Sequence, residues 1–119
     1  MNQPPPIEII RRLTNSDLEL VSHGKYVIHL SFENGNQLSV EGPFRFAERQ
    51  LLTDMPVCDF PLSETKLLRV LGCQVIKLKC DTDGTLELEF SNGDVLVVYA
   101  NDPAYEAYTL MIDGKRHVV

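Results

Sequence analysis

Asp81 and Asp83 stand one residue apart at the end of an apolar run, and Gly84 and Thr85 follow them. Two carboxylates so spaced could serve, one as nucleophile and the other as acid/base. The same residues also suit a tight turn, because Asp tolerates the left-handed region and Gly supplies positive φ. The residues after Thr85 favour the turn. Leu86, Leu88 and Phe90 alternate with Glu87, Glu89 and Ser91, the pattern of a strand with one buried face.

The Asp81-Thr82-Asp83-Gly84-Thr85 run resembles the nucleophile loop of haloacid-dehalogenase-type phosphatases, a resemblance that implies attack on phosphorus by the first Asp, proton transfer by the second, Mg²⁺ alongside, and a parallel sheet with a helix after the loop. The resemblance stops there, since the 34 residues after Thr85 are too few for the remaining catalytic parts. As a calcium loop the segment fails, because Lys79 and Phe90 fall where acidic ligands belong. Cys58, Cys73 and Cys80 form no CxxC pair, and His23, His29 and His117 have no ligand spacing, so no metal or cofactor is expected. Cys73 and Cys80, read as one strand, face opposite sides. No GxSxG or glycine-rich phosphate loop occurs, and no catalytic residue is assigned. The alternative reading is a small metal- or ligand-dependent enzyme acting through Asp81 and Asp83.

Binding surfaces are the better prospect. Glu33, Glu41, Glu87, Glu89 and Asp94 read as an outward acidic stripe. Asp102-Pro103-Ala104-Tyr105-Glu106-Ala107-Tyr108 offers tyrosines, which supply contact area at little entropic cost. The expected partner-binding residues are therefore Glu87, Glu89, Asp102, Tyr105 and Glu106. A net charge of −6 argues against nucleic acid and anionic membranes and fits another protein, basic in character. A homodimer, formed through a sheet edge or the Val95/Val97/Tyr99 face, stays open.

The elements that would position these residues come from pattern. Tyr26, Ile28, Leu30 and Phe32 alternate with Val27, His29, Ser31 and Glu33, Asn34-Gly35 marks a type I′ hairpin turn, and Leu38 and Val40 return inward. Gly42-Pro43 ends that strand. A shift of 58 positions lays this hairpin on Leu86, Leu88, Phe90, Asn92-Gly93, Leu96 and Val98, and lays Leu18 and Leu20 on Ile76 and Leu78. The chain thus reads as a β-rich α+β domain with two antiparallel three-strand meanders, about 18–42 and 74–100. The pseudo-repeat itself runs over 18–43 and 76–101. One helix, about 62–71, joins them, with Ser63 as N-cap, Gly72 as C-cap and Leu67, Leu68 and Leu71 as its buried stripe. Val95, Val97 and Tyr99 make the last strand of the second meander apolar on both faces, so it should be covered on both. Tyr108–Ile112, Asp113-Gly114 and Lys115–Val119 form a C-terminal hairpin. Residues 7–13 are ambiguous between helix and strand, and 1–6 form a mobile proline tail.

Length 119 and an apolar fraction of 44% suit a single domain spanning 1–119. An odd cysteine count, no basic-then-apolar start and no run near the ~20 apolar residues that span a bilayer make the cytoplasm the expected compartment.

Three motifs carry a family resemblance: Glu41-Gly42-Pro43-Phe44; Asp83-Gly84-Thr85-Leu86 with Leu88, Phe90 and Gly93; and Asp102-Pro103 with Tyr105-Glu106-Ala107-Tyr108. Over about residues 18–112 the chain resembles an uncharacterised family of small bacterial β-rich domains, in which Trp is common where Tyr108 stands. The resemblance brings no active site. It implies a non-enzymatic protein-binding module of the immunity type, one that occludes a partner toxin.

Overall fold

Period-two patterning becomes strands almost everywhere it occurs. The computed structural model describes residues 4–47, 57–58, 67–100 and 107–119. Its strands are β1 (Leu18–His23), β2 (Ile28–Phe32), β3 (Gln37–Val40), β4 (Phe44–Ala47), β5 (Val57–Cys58), β6 (Val75–Cys80), β7 (Leu86–Phe90), β8 (Val95–Val98), β9 (Tyr108–Ile112) and β10 (Lys115–Val118). One short helix, α1 (Ile7–Ile10), runs into a 3-10 turn at Arg11–Leu13, and a second 3-10 turn occupies Leu67–Val70.

Two antiparallel sheets result. Their strand orders are β1-β2-β3-β9-β10 and β5-β4-β8-β7-β6. After β3 the chain leaves the first sheet, and β4 pairs with β8 in the second. After β8 it makes the reverse move, and β9 pairs with β3. The C-terminal hairpin is therefore no appendage: its strands complete the first sheet. Gly42 lies at one crossing, where an added Cβ would stand 3.3 Å from the Ala107 Cα. Glu41 and Gly42 both donate their N–H to the Ala107 carbonyl. Only glycine lets the two crossing chains approach so closely.

The core lies between the sheets. Ile28, Leu30, Phe32, Leu38 and Val40 face Leu86, Leu88, Phe90, Leu96 and Val98, with Phe44, Tyr108, Leu110 and Ile112 from the crossing strands. Ile10, Leu13, Leu67 and Val70 close its ends. β2, β3 and β7 bury every second side chain, which is what the alternation demands, and β8 buries all four of its side chains, as its doubly apolar pattern requires.

The details depart from expectation in four places. The joining helix is absent over its described part: Leu67–Val70 is a 3-10 turn, and residues 62–66, with Ser63, lie outside the described residues. It buries Leu67 and Val70 and leaves Leu68 and Leu71 exposed. A tighter three-residue turn replaces the 3.6-residue stripe. The Asn-Gly hairpins are not type I′. Gly35 and Gly93 have φ of 90° and 91°, but neither Asn has positive φ. Gly35 N–H bonds the Phe32 carbonyl and Phe32 N–H bonds the Asn36 carbonyl, a type I turn closed by a glycine bulge, and Phe90 to Asp94 repeat it. Tyr26 sits in the β1–β2 turn, exposed, instead of facing the core. Finally, Leu18 answers to Val75 and Val21 to Leu78, a shift of 57, because the β6–β7 connection is one residue longer than the β1–β2 connection. Leu18 and Leu20 therefore do not match Ile76 and Leu78.

Candidate functional site

The aspartate loop is a hairpin turn. Asp81 N–H bonds the Thr85 carbonyl, Gly84 N–H bonds the Asp81 carbonyl, and the Asp83 carboxylate accepts from Thr85 N–H at 2.9 Å. β6 and β7 flank it antiparallel, so no helix start faces Asp81. Gly84 is buried with φ of 93°, and a Cβ there would lie 3.1 Å from Val119 and 3.2 Å from Ala100. The Tyr108 hydroxyl donates to the Gly84 carbonyl at 2.6 Å. Burial, then the Cys80 thiol beside it at 3.9 Å, pushes the Tyr108 hydroxyl far above its usual range. Burial likewise raises the Cys80 thiol above 9.0. The residues that carry the family resemblance thus meet each other: the Asp83-Gly84 turn against Tyr108, and Gly42 against Ala107. They hold the crossing strands in place.

The acidic stripe is broken by its neighbours. Glu87 and Glu89 project from the outer face of the second sheet, half-buried, but Lys79 and Lys77 lie directly opposite them on β6. Opposite charges across a strand pair offset each other, so the face is not acidic in sum. Asp94 leaves the stripe altogether. It is fully buried, accepts from Arg69 Nε at 3.2 Å and from the Asn92 side chain at 2.9 Å. Glu33 and Glu41 stay exposed. Val95 and Val97 are each 8% exposed, so this face of β8 is covered, as its apolar pattern on both sides requires. Beside it the Arg45 guanidinium stands 5.6 Å over the Tyr99 ring, and its Nε is buried without an acceptor among the described residues. Asp102, Tyr105 and Glu106 lie outside the described residues.

Cys73 precedes β6 instead of sharing it, and its carbonyl accepts from Leu18 N–H. Cys73 and Cys80 are free and half-buried. Among the described residues no group of three or more His, Cys, Asp or Glu side chains could hold a metal ion. No helix among them is long and apolar enough to cross a membrane.

An unexpected surface lies beside β1. The segment Leu71–Gln74 runs antiparallel to its start: Gly72 N–H bonds the Leu18 carbonyl, and Asp17 bridges Gln74. Leu71 therefore sits next to the edge that carries Leu20, and Leu68, one 3-10 turn back, stands over Leu71. Leu20, Leu68 and Leu71 are between 42% and 57% exposed, as is Tyr26 at the far end of the same edge. The second half of the molecule shows what the fold itself requires here. Asn15 N–H to the Val75 carbonyl repeats the Gly72 to Leu18 bond, and Thr14 N–H to the Arg11 carbonyl repeats Leu71 to Leu68. By these contacts Lys77 stands where Leu20 stands, Arg11 where Leu68 stands, and Thr14 where Leu71 stands. Positions that accept Lys, Arg and Thr in one half do not need leucine in the other. Helical spacing alone places Leu68 and Leu71 on one apolar stripe, and the 58-position shift sets Leu20 against Leu78. A shift of 57 positions before the first hairpin would have set them against polar residues.

No curated protein and no solved structure matches the chain. A family model does match, over residues 9–119, farther in both directions than the motifs alone reach. With its crossing glycine, its aspartate turn and the tyrosine that seals it all inside the matched span, the chain belongs to the family of unknown function DUF6188.

Proposed function

We propose that this chain is a non-catalytic protein-binding module whose docking surface is the open side of β1. The exposed row Leu20, Leu68 and Leu71 carries the reading, because the same contacts elsewhere in the chain are made by polar residues. Apolar side chains grouped on a surface mark a place where another chain shields them. The doubled meander, residues 18–42 and 74–100, is read as the scaffold that presents this edge. Asp17, Glu19 and Glu33 cluster at the start of β1, where Glu33 N–H bonds the Asp17 carbonyl. They favour a basic partner and so support the immunity-type version, in which the edge occludes a toxin.

Co-expression with the product of the adjacent gene tests the reading. The wild-type chain should co-purify with that product and relieve its toxicity. A variant carrying Leu20→Lys, Leu68→Arg and Leu71→Thr should do neither while keeping its melting temperature. Co-purification undiminished in that variant would remove β1 as the docking edge. A harmless neighbour that never co-purifies ends the immunity-type version.

A further inference from the structure

We infer that the β1 edge pairs with the β1 edge of a second copy of this chain, forming a two-fold dimer with a continuous sheet. The inference rests on the reading of β1 as a docking edge: the free chain pairs this edge with a second copy, and a partner would have to displace that copy to bind.

Beyond Leu18, whose N–H and C=O are taken by Cys73 and Gly72, β1 has no strand partner on its outer side among the described residues, and only Glu19 and the bulge between Leu18 and Leu20 blunt it. Counting the alternation from the Gly24 N–H bond to the Val27 carbonyl, Leu20 and Ser22 bond to β2, while Val21 and His23 turn their N–H and C=O groups outward. Natural edges are blunted by charge, Lys above all. Edge strand β6 carries Lys77 and Lys79, and edge strand β10 carries Lys115 and Arg116. β1, Leu-Glu-Leu-Val-Ser-His, carries neither Lys nor Arg.

The edge is also complementary to itself once reversed. Its start holds Asp17, Glu19 and Glu33 with Leu68 and Leu71 alongside. Its end holds His23, Lys25 and the exposed ring of Tyr26, over which Lys25 Nζ lies at 5.3 Å. An antiparallel pairing centred on Ser22 lets Val21 of each copy exchange hydrogen bonds with His23 of the other. The same register carries Glu19 toward Lys25 and Leu68 and Leu71 toward Tyr26, twice over. A two-fold contact requires that kind of self-match. A parallel addition would set like against like. Of the large exposed apolar side chains among the described residues, Leu20, Tyr26, Leu68 and Leu71 would all be covered, leaving Ile76.

Sedimentation velocity across the micromolar range decides the matter. The wild-type chain should sediment at twice its 13.5 kDa. The triple variant Leu20→Lys, Leu68→Arg, Leu71→Thr should sediment as a monomer with an unchanged circular dichroism spectrum. Glu19→Lys alone should shift the population to monomer, and Glu19→Lys combined with Lys25→Glu should restore the dimer. A wild-type monomer throughout overturns the dimer but leaves the docking edge, which the co-purification experiment judges separately. A dimer indifferent to both the triple variant and the charge exchange overturns the β1–β1 interface, and the docking edge is again judged by the co-purification experiment.

Discussion

Gly35 and Gly84 separate two costs that glycine avoids. Their φ values, 90° and 93°, are nearly equal, but a Cβ at Gly35 would meet nothing within 4 Å while one at Gly84 would press on Val119 and Ala100. Gly35→Ala should cost about 1–2 kcal/mol, the strain of a left-handed alanine. Gly84→Ala should cost about 1–3 kcal/mol more, because crowding adds to strain. Chemical denaturation of the two variants measures the difference. Tyr108→Phe strands the buried Gly84 carbonyl and should cost about 1–3 kcal/mol. It also has a pH signature. Burial raises the Tyr108 hydroxyl above its usual 10.0, so the folded chain keeps a proton that the unfolded chain releases. The unfolded state then binds fewer protons, and stability falls as pH rises past about 10, by about 1.4 kcal/mol per unit for one proton. Tyr108→Phe should flatten that slope in denaturation curves taken from pH 9 to 11.

At the scale of elements, the turns do most of the specifying. Asn34 and Asn92 each cap the N–H two residues on, at 3.0 Å, and each reaches back to the carbonyl of an arginine in the preceding 3-10 turn, Arg12 or Arg69. One side chain thereby fixes both the hairpin and the segment that enters its sheet. Asn92→Ala should loosen both at once. The expected loss is about 1–2 kcal/mol, with faster amide exchange at Gly93 and Asp94 and also at Leu71 and Gly72. Exchange that quickens only in the hairpin would show that the 3-10 turn is held by its own packing.

Across the whole molecule, the crossings at Gly42 and before β9 make each sheet depend on both halves of the sequence. β4 has its long pairing with β8, and β9 has its with β3. Neither half can complete a sheet alone. Fragments 1–60 and 61–119 should each be unfolded by circular dichroism, and mixing them should recover the β spectrum. Calorimetry of the intact chain should give one transition, because neither sheet can melt while the other stands. A folded fragment, or two separate transitions, would contradict this.

What the sequence determined by itself was local. Period two placed Ile28, Leu30, Phe32 and their counterparts Leu86, Leu88 and Phe90 inside, since alternation leaves only one face to bury. The glycines after Asn34, Asn92 and Asp83 marked the turns, since few other residues take positive φ. Tertiary structure decided the rest. Which face Leu68 and Leu71 present depended on a 3-10 turn seated against β1, and a bulge between Leu18 and Leu20 left Leu18 buried while turning Leu20 outward. Lys77 and Lys79 cancel Glu89 and Glu87 only because β6 lies beside β7 in that register. No local pattern states that β4 and β9 change sheets, since an exchanged strand and a returning one bury the same alternate residues. Pairing partners are chosen by the packing of the whole core, and the chain's open edge becomes visible only after those choices are made.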